Sequence, residues 1–177
     1  MTTAVEILLD RNERYAAHRH AELPFLPRLN MCVVACPDSR VDPAIVLGLE
    51  PGDAPVVRAA AGRISPIVQQ QLLFLAAAGA AAGQSATGLE LILMTHTDCA
   101  ITRLGSRHRP ALASFLGCSD DELDGKAVND PYAAVRLDID ALAANPLIPA
   151  ELAVTGLVFD VHTGRTRQVE RRAPLRP

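Results

Sequence analysis

His96, Thr97, Asp98 and Cys99 close one apolar run of the chain, and Cys36, Pro37, Asp38, Ser39 and Arg40 close another. Imidazole and thiolate are strong ligands for a borderline-soft metal, so Cys36, His96 and Cys99 offer the S, N, S set that zinc prefers. Three protein ligands leave one tetrahedral position open, which is the arrangement of a catalytic zinc rather than a structural one. This chemistry requires the two runs to be neighbouring strands. Asp38 is a candidate for the open position, or for accepting a hydrogen bond from a water bound there. Arg40 decides between the two, because a guanidinium two residues along can hold the carboxylate in a bidentate pair, ionised and off the metal.

Each of these residues also has an ordinary role: a lone histidine at a strand end is a hydrogen-bonded structural residue, and a lone cysteine in a strand is a small buried hydrophobe. The combination is what favours zinc. Cys32 inside the first run and Cys118 before a capping sequence are expected to be core or surface residues. Asp98, inside a tight turn, is expected to hydrogen-bond the local backbone.

The elements that must position these groups alternate between short apolar runs and longer helical patterns, the signature of parallel strands joined by crossover helices. The fold class expected is α/β: one domain with about four parallel strands plus an antiparallel edge strand, flanked by helices. Strands are expected at 31–35, 54–57, 89–95 and 153–161, nearly continuous in apolar residues as in a sheet covered on both faces. A Thr163-Gly164 turn then leads to a hairpin strand at 166–169. Asp42-Pro43, Ser65-Pro66 and Asp130-Pro131 each put an N-cap residue before a proline at the first helical position. Ser119 to Glu122 has capping-box spacing and predicts another short helix, and Asn145-Pro146 ends the helix begun at Pro131. Both strand ends that carry candidate ligands fall on the carboxyl edge, where open α/β sheets bind their ligands. Residues 1–20 form an amphipathic helical arm, able to pack on a partner subunit or on its own domain.

With 177 residues, 49% hydrophobic, the chain can bury one proper core. Its 17 Lys+Arg against 20 Asp+Glu, net −3, carry no footprint for nucleic acid. Arg165, Arg167, Arg171, Arg172 and Arg176 are expected to be a solvated C-terminal end. No apolar run reaches the roughly 18 residues that span a bilayer, so no membrane association is expected. The N-terminus is not patterned as a signal peptide, so a cytoplasmic location is expected. In that reducing compartment four cysteines are free thiols or metal ligands rather than a disulfide framework.

Taken in order, Cys36-Pro-Asp-Ser-Arg-Val-Asp-Pro43, Val56-Val-Arg-Ala-Ala-Ala-Gly-Arg63 and Thr95-His-Thr-Asp-Cys99 resemble the three blocks of the β-class carbonic anhydrases, of the compact bacterial type. Gly156-Leu-Val-Phe-Asp160 resembles that family's last core strand. The resemblance implies one Zn2+ per chain on Cys36, His96 and Cys99, with Asp38 and Arg40 as the gating and hydrogen-bonding dyad. It implies hydration of CO2 to bicarbonate and a proton through a zinc-bound hydroxide, in a homodimer or a dimer of dimers. Rupture of the Asp38–Arg40 pair would let Asp38 cap the metal. COS or CS2 hydrolysis on the same site, or a zinc-containing binding or regulatory protein with weak turnover, are the alternatives. A proton shuttle is also needed, and His18, His20, His108 and His162 are equal candidates. Three positions depart from the family: Ala59 and Ala61 replace an asparagine and a glycine, and Ala100 replaces a glycine. A methyl group at 61 or 100 adds strain if the backbone there takes positive φ, or narrows the pocket.

Overall fold

The computed structural model describes residues 2–18, 22–85, 88–104 and 108–176. Its strands are β1 (Met31–Ala35), β2 (Val56–Arg58), β3 (Glu90–His96), β4 (Ala153–Asp160) and β5 (Arg165–Pro174). They form one sheet in the order β2-β1-β3-β4-β5. β1 pairs in parallel with β2 and β3, and β3 with β4, while β4 and β5 are antiparallel. The helices are α1 (Ala4–His18), α2 (Pro43–Val46), α3 (Pro66–Ala81), α4 (Ile101–Leu104), α5 (Arg109–Leu116) and α6 (Pro131–Ala143). The expected class and the adjacency of the two ligand-bearing strands are both present.

Side chains alternate across the sheet because successive Cβ atoms point to opposite faces. Cys32, Val34, Leu91 and Leu93 pack one face against Val68 of α3 and Leu142 of α6. Val33, Ala35 and Met94 pack the other against Val41 and against Leu112 and Leu116 of α5. Leu91, Leu93 and Met94 are all but completely buried, a contribution of about 1.5–3 kcal/mol each.

Proline at the first turn starts α2, α3 and α6 as expected. Asp42 caps by accepting from the Ala44 N–H, and Asp130 from those of Tyr132 and Ala133. Ser65 stands at the N-cap position of α3 without making that bond. β3 and β4 keep their expected bounds to within one residue, and three other elements depart further. β2 starts two residues late because Pro55 has no N–H to donate, although its carbonyl accepts from Val33. Ser119 donates its N–H to Glu122, half of a capping box, but a 3-10 turn at Leu123–Lys126 follows instead of an α-helix. β5 extends well past 169 as a charged, exposed edge strand, and Arg176 is not a free solvated end: it donates to the carbonyls of Ala143, Asn145 and Ile148.

α1 covers most of the expected arm; residues 1, 19 and 20 lie outside the described residues. It buries none of its residues, leaving Val5, Leu8 and Leu9 each about 60% exposed. Among the described residues no helix is long and apolar enough to cross a membrane.

Candidate metal centre

β1 and β3 lie side by side with Ala35 opposite Met94, so Cys36 and His96 leave the carboxyl edge of the sheet next to each other. The turn after β3 returns Cys99 to them. The ligand atoms of Cys36, His96 and Cys99 lie within 4.8 Å of one another, and all three residues are buried. Their Sγ atoms are 4.0 Å apart. That is far too long for a disulfide and close to the roughly 3.8 Å that tetrahedral zinc imposes on two thiolates.

His96 Nδ1 lies 2.9 Å from the Thr97 carbonyl, which assigns the ring proton to Nδ1 and leaves the Nε2 lone pair free. Nε2 is fully buried and has no hydrogen-bond partner among the described residues. An orphaned acceptor of this kind costs about 1–3 kcal/mol unless something occupies the centre. A cation between it and the two sulfurs removes that cost, so the residues present fit a zinc ion. The hydrogen bond from Cys99 pulls the Cys36 thiol down, and the same interaction together with burial pushes Cys99 up. Burial pushes Cys32 up to about 12, as suits a core thiol on the other face of the sheet, and half-buried Cys118 also stays out of the cluster.

Asp38 and Arg40 form the expected fork: Arg40 Nε donates to Oδ1 at 3.0 Å and Nη2 to Oδ2 at 2.7 Å. The Arg40 backbone N–H adds a third bond to Oδ1. These bonds hold the Asp38 carboxyl well below the usual carboxylate range. Arg58, in the second sequence block, donates to the carbonyls of Cys36 at 2.8 Å and Asp38 at 3.1 Å, fixing the loop between ligand and dyad. Asp98 corrects expectation: its carboxylate pairs with Arg40 at 2.9 Å and Arg103 at 2.6 Å instead of with local backbone.

Of the three alanine departures, only Ala61 is strained, at φ 56. Ala59 is extended and packs into the core, and Ala100 has no positive φ. Gly62 follows, also at positive φ, where a Cβ would lie 2.4 Å from the Met94 carbonyl oxygen. Ala61 lines a cavity of about 20 Å³ with His96, Cys99, Ile101, Val128 and Ala134, room for about one water. Arg63, which also lines this cavity, pairs with Asp138 at 2.8 Å and donates to the Lys126 carbonyl. Sequence reasoning missed this buried pair, since Asp138 sits in a helical pattern 75 residues away. His18, His108 and His162 are all exposed, and His20 lies outside the described residues.

A family model of carbonic anhydrase matches residues 31–166, from β1 into β5 and through all three sequence blocks. The chain belongs to the β-class carbonic anhydrase family. It is similar to β-carbonic anhydrase 1 of Mycobacterium tuberculosis, 29% identical over 169 residues that cover 94% of this chain and 98% of that one. A carbon disulfide hydrolase of Acidianus sp. is 27% identical over 184 residues, covering 90% and 86%. The crystal structure of carbonic anhydrase from Streptococcus mutans superposes with a TM-score of 0.72 at 30% identity, covering 96% and 99%. As an enzyme of the β-class carbonic anhydrase family, the chain carries its Cys, His, Cys cluster on the carboxyl edge of the central strands.

Proposed function

We propose that this chain is a zinc carbonic anhydrase converting CO2 and water to bicarbonate and a proton, with one zinc held by Cys36, His96 and Cys99. The observation that carries this is the buried S, N, S cluster in which His96 Nε2 has no other partner. Zinc bound there supplies a Lewis acid and a water acidic enough to ionise near neutral pH. Asp38, anionic and locked by Arg40, accepts a hydrogen bond at the open position and orients what sits there. Both its oxygens are engaged by Arg40, which keeps the carboxylate from closing on the metal. Ala61, Ile101 and Val128 supply apolar wall to the small adjoining cavity, beside the polar Arg63, Thr95 and Thr102. Arg58 keeps the Cys36 to Asp38 backbone from shifting as charge develops.

Residues 1–177 act as one domain, in the cytoplasm, and assemble as a homodimer or a dimer of dimers. The support for assembly is α1, whose Val5, Leu8 and Leu9 stay about 60% exposed among the described residues. A helix of 15 residues is marginal in water without a packed face, so a second copy is the expected partner.

Stopped-flow CO2 hydration at alkaline pH, on protein assayed for zinc and with Cys99→Ser as blank, tests the reading. A zinc-dependent rate is expected; a fully loaded protein no faster than the blank overturns it. The similarity to a carbon disulfide hydrolase favours one second reading, hydrolysis of CS2 or COS on the same centre. Sulfide release from CS2 without CO2 hydration would select it, and neither activity would leave a zinc-containing binding protein.

A further inference from the structure

We propose that Asp98 is a positioning residue for this reaction, the second anchor that holds Arg40 on Asp38; this rests on the carbonic anhydrase reading of the Asp38 role. Arg40 has five N–H groups, and four are engaged. Nε and one Nη2 proton go to the two oxygens of Asp38. An Nη1 proton goes to Asp98 Oδ2 at 2.9 Å, and the second Nη2 proton to the Asp98 carbonyl at 3.0 Å. One guanidinium plane is thereby clamped between two aspartates that are 60 residues apart in the chain.

The second clamp matters because Arg40 is half exposed, and a lone exposed ion pair is weakened by water and by side-chain freedom. Contact through both the carboxylate and the backbone carbonyl of Asp98 fixes the plane of the fork as well as its position. The backbone is arranged for this. Asp98 takes φ 51, one of three non-glycine residues in the left-handed region among those described. Aspartate tolerates that region better than most residues, and strained conformations of this kind cluster at functional sites. Its place between His96 and Cys99 means that the turn delivering the ligands also delivers the support for Arg40. Arg103 donates to the other carboxylate oxygen at 2.6 Å, holding Asp98 itself.

The test compares Asp98→Gly and Asp98→Asn with the parent, each as the zinc-loaded full chain. Glycine removes the carboxylate yet keeps the left-handed turn without strain, and asparagine keeps the turn and one acceptor oxygen. For Asp98→Gly, kcat is expected to fall about 10–100-fold, the usual cost of losing a partner outside the ligand shell. KM stays as in the parent, because Asp98 touches no substrate. Zinc content stays at one per chain, and the NMR signal of the Arg40 Nε–H, sharp in the parent, broadens or shifts as the guanidinium is freed. Asp98→Asn should lose less. An unchanged kcat with an unchanged Arg40 signal overturns the proposal. Loss of zinc from Asp98→Gly overturns it too, since Asp98 would then serve the ligand turn. If the parent itself hydrates no CO2, the proposed function fails first, and the Arg40 signal alone decides whether Asp98 holds the guanidinium.

Discussion

Of the arginine–aspartate pairs near the Cys36, His96, Cys99 cluster, Arg63–Asp138 and Arg40–Asp38 meet water most differently. Arg63 and Asp138 are joined at 2.8 Å with side chains 3% and 5% exposed. Arg40 and Asp38 are joined at 2.7 Å with side chains 47% and 15% exposed. Burial pushes the Asp138 carboxyl up even with Arg63 beside it, whereas the hydrogen bonds from Arg40 hold Asp38 well below its ordinary value. The buried pair is a strut. It ties the turn after β2 to α6, with Arg63 forming part of the cavity wall, and its two charges have no solvent to fall back on. The open pair is a tether that keeps a carboxylate charged and in place at the mouth of the site. The same two residue types therefore do structural work where water is excluded and, on the proposed function, chemical work where it is not.

Cutting the strut should give the largest effect. Asp138→Ala leaves the Arg63 guanidinium buried and unpaired, and the expected loss is about 3–5 kcal/mol, read from urea or thermal unfolding. A loss close to zero would mean that water reaches Arg63 and that the contrast between the pairs is false. Cutting the tether should move activity and leave stability nearly alone: for Arg40→Gln the expected result is a 10–100-fold fall in kcat with an almost unchanged unfolding midpoint. A large drop in the midpoint would place this pair with the buried one. The smallest effect is reserved for the cavity wall. Ala61→Gly relieves a left-handed alanine and should stabilise the fold by about 1 kcal/mol, and it widens the pocket by one methyl group. A gain in CO2 hydration with it would show that the alanine limits the natural rate.

Much of this was readable along the chain because it is local. Proline after Asp42, Ser65 and Asp130 marks helix starts through its fixed φ, and the runs ending at Ala35 and His96 are apolar enough to be central strands. Cys36, His96 and Cys99 stood out because their types match one metal and both strand ends face one edge. What was missed is non-local or polar. α5 begins at His108-Arg109 with no side-chain cap: Pro110 and the left-handed Gly117 mark its ends, but no Ser, Thr, Asp or Asn directly precedes that proline to signal the start. β5 is rich in arginine because it is an edge, where charge discourages pairing with other chains, so its polarity hid its length. Asp98 looked like a turn residue and is one, but its partner Arg40 is 58 residues away and only the paired central strands bring it near.

That separation bears on how the protein reaches its native state. The two thiolates are 63 residues apart, and a chain must close that loop by pairing β1 with β3 before it can offer both to a metal. On the proposed function, zinc would therefore arrive at a scaffold that is already built rather than gather an unfolded one. Since the completed centre belongs to the native state and not to the barrier before it, metal should leave the refolding rate unchanged and slow unfolding instead, lengthening the lifetime of the fold.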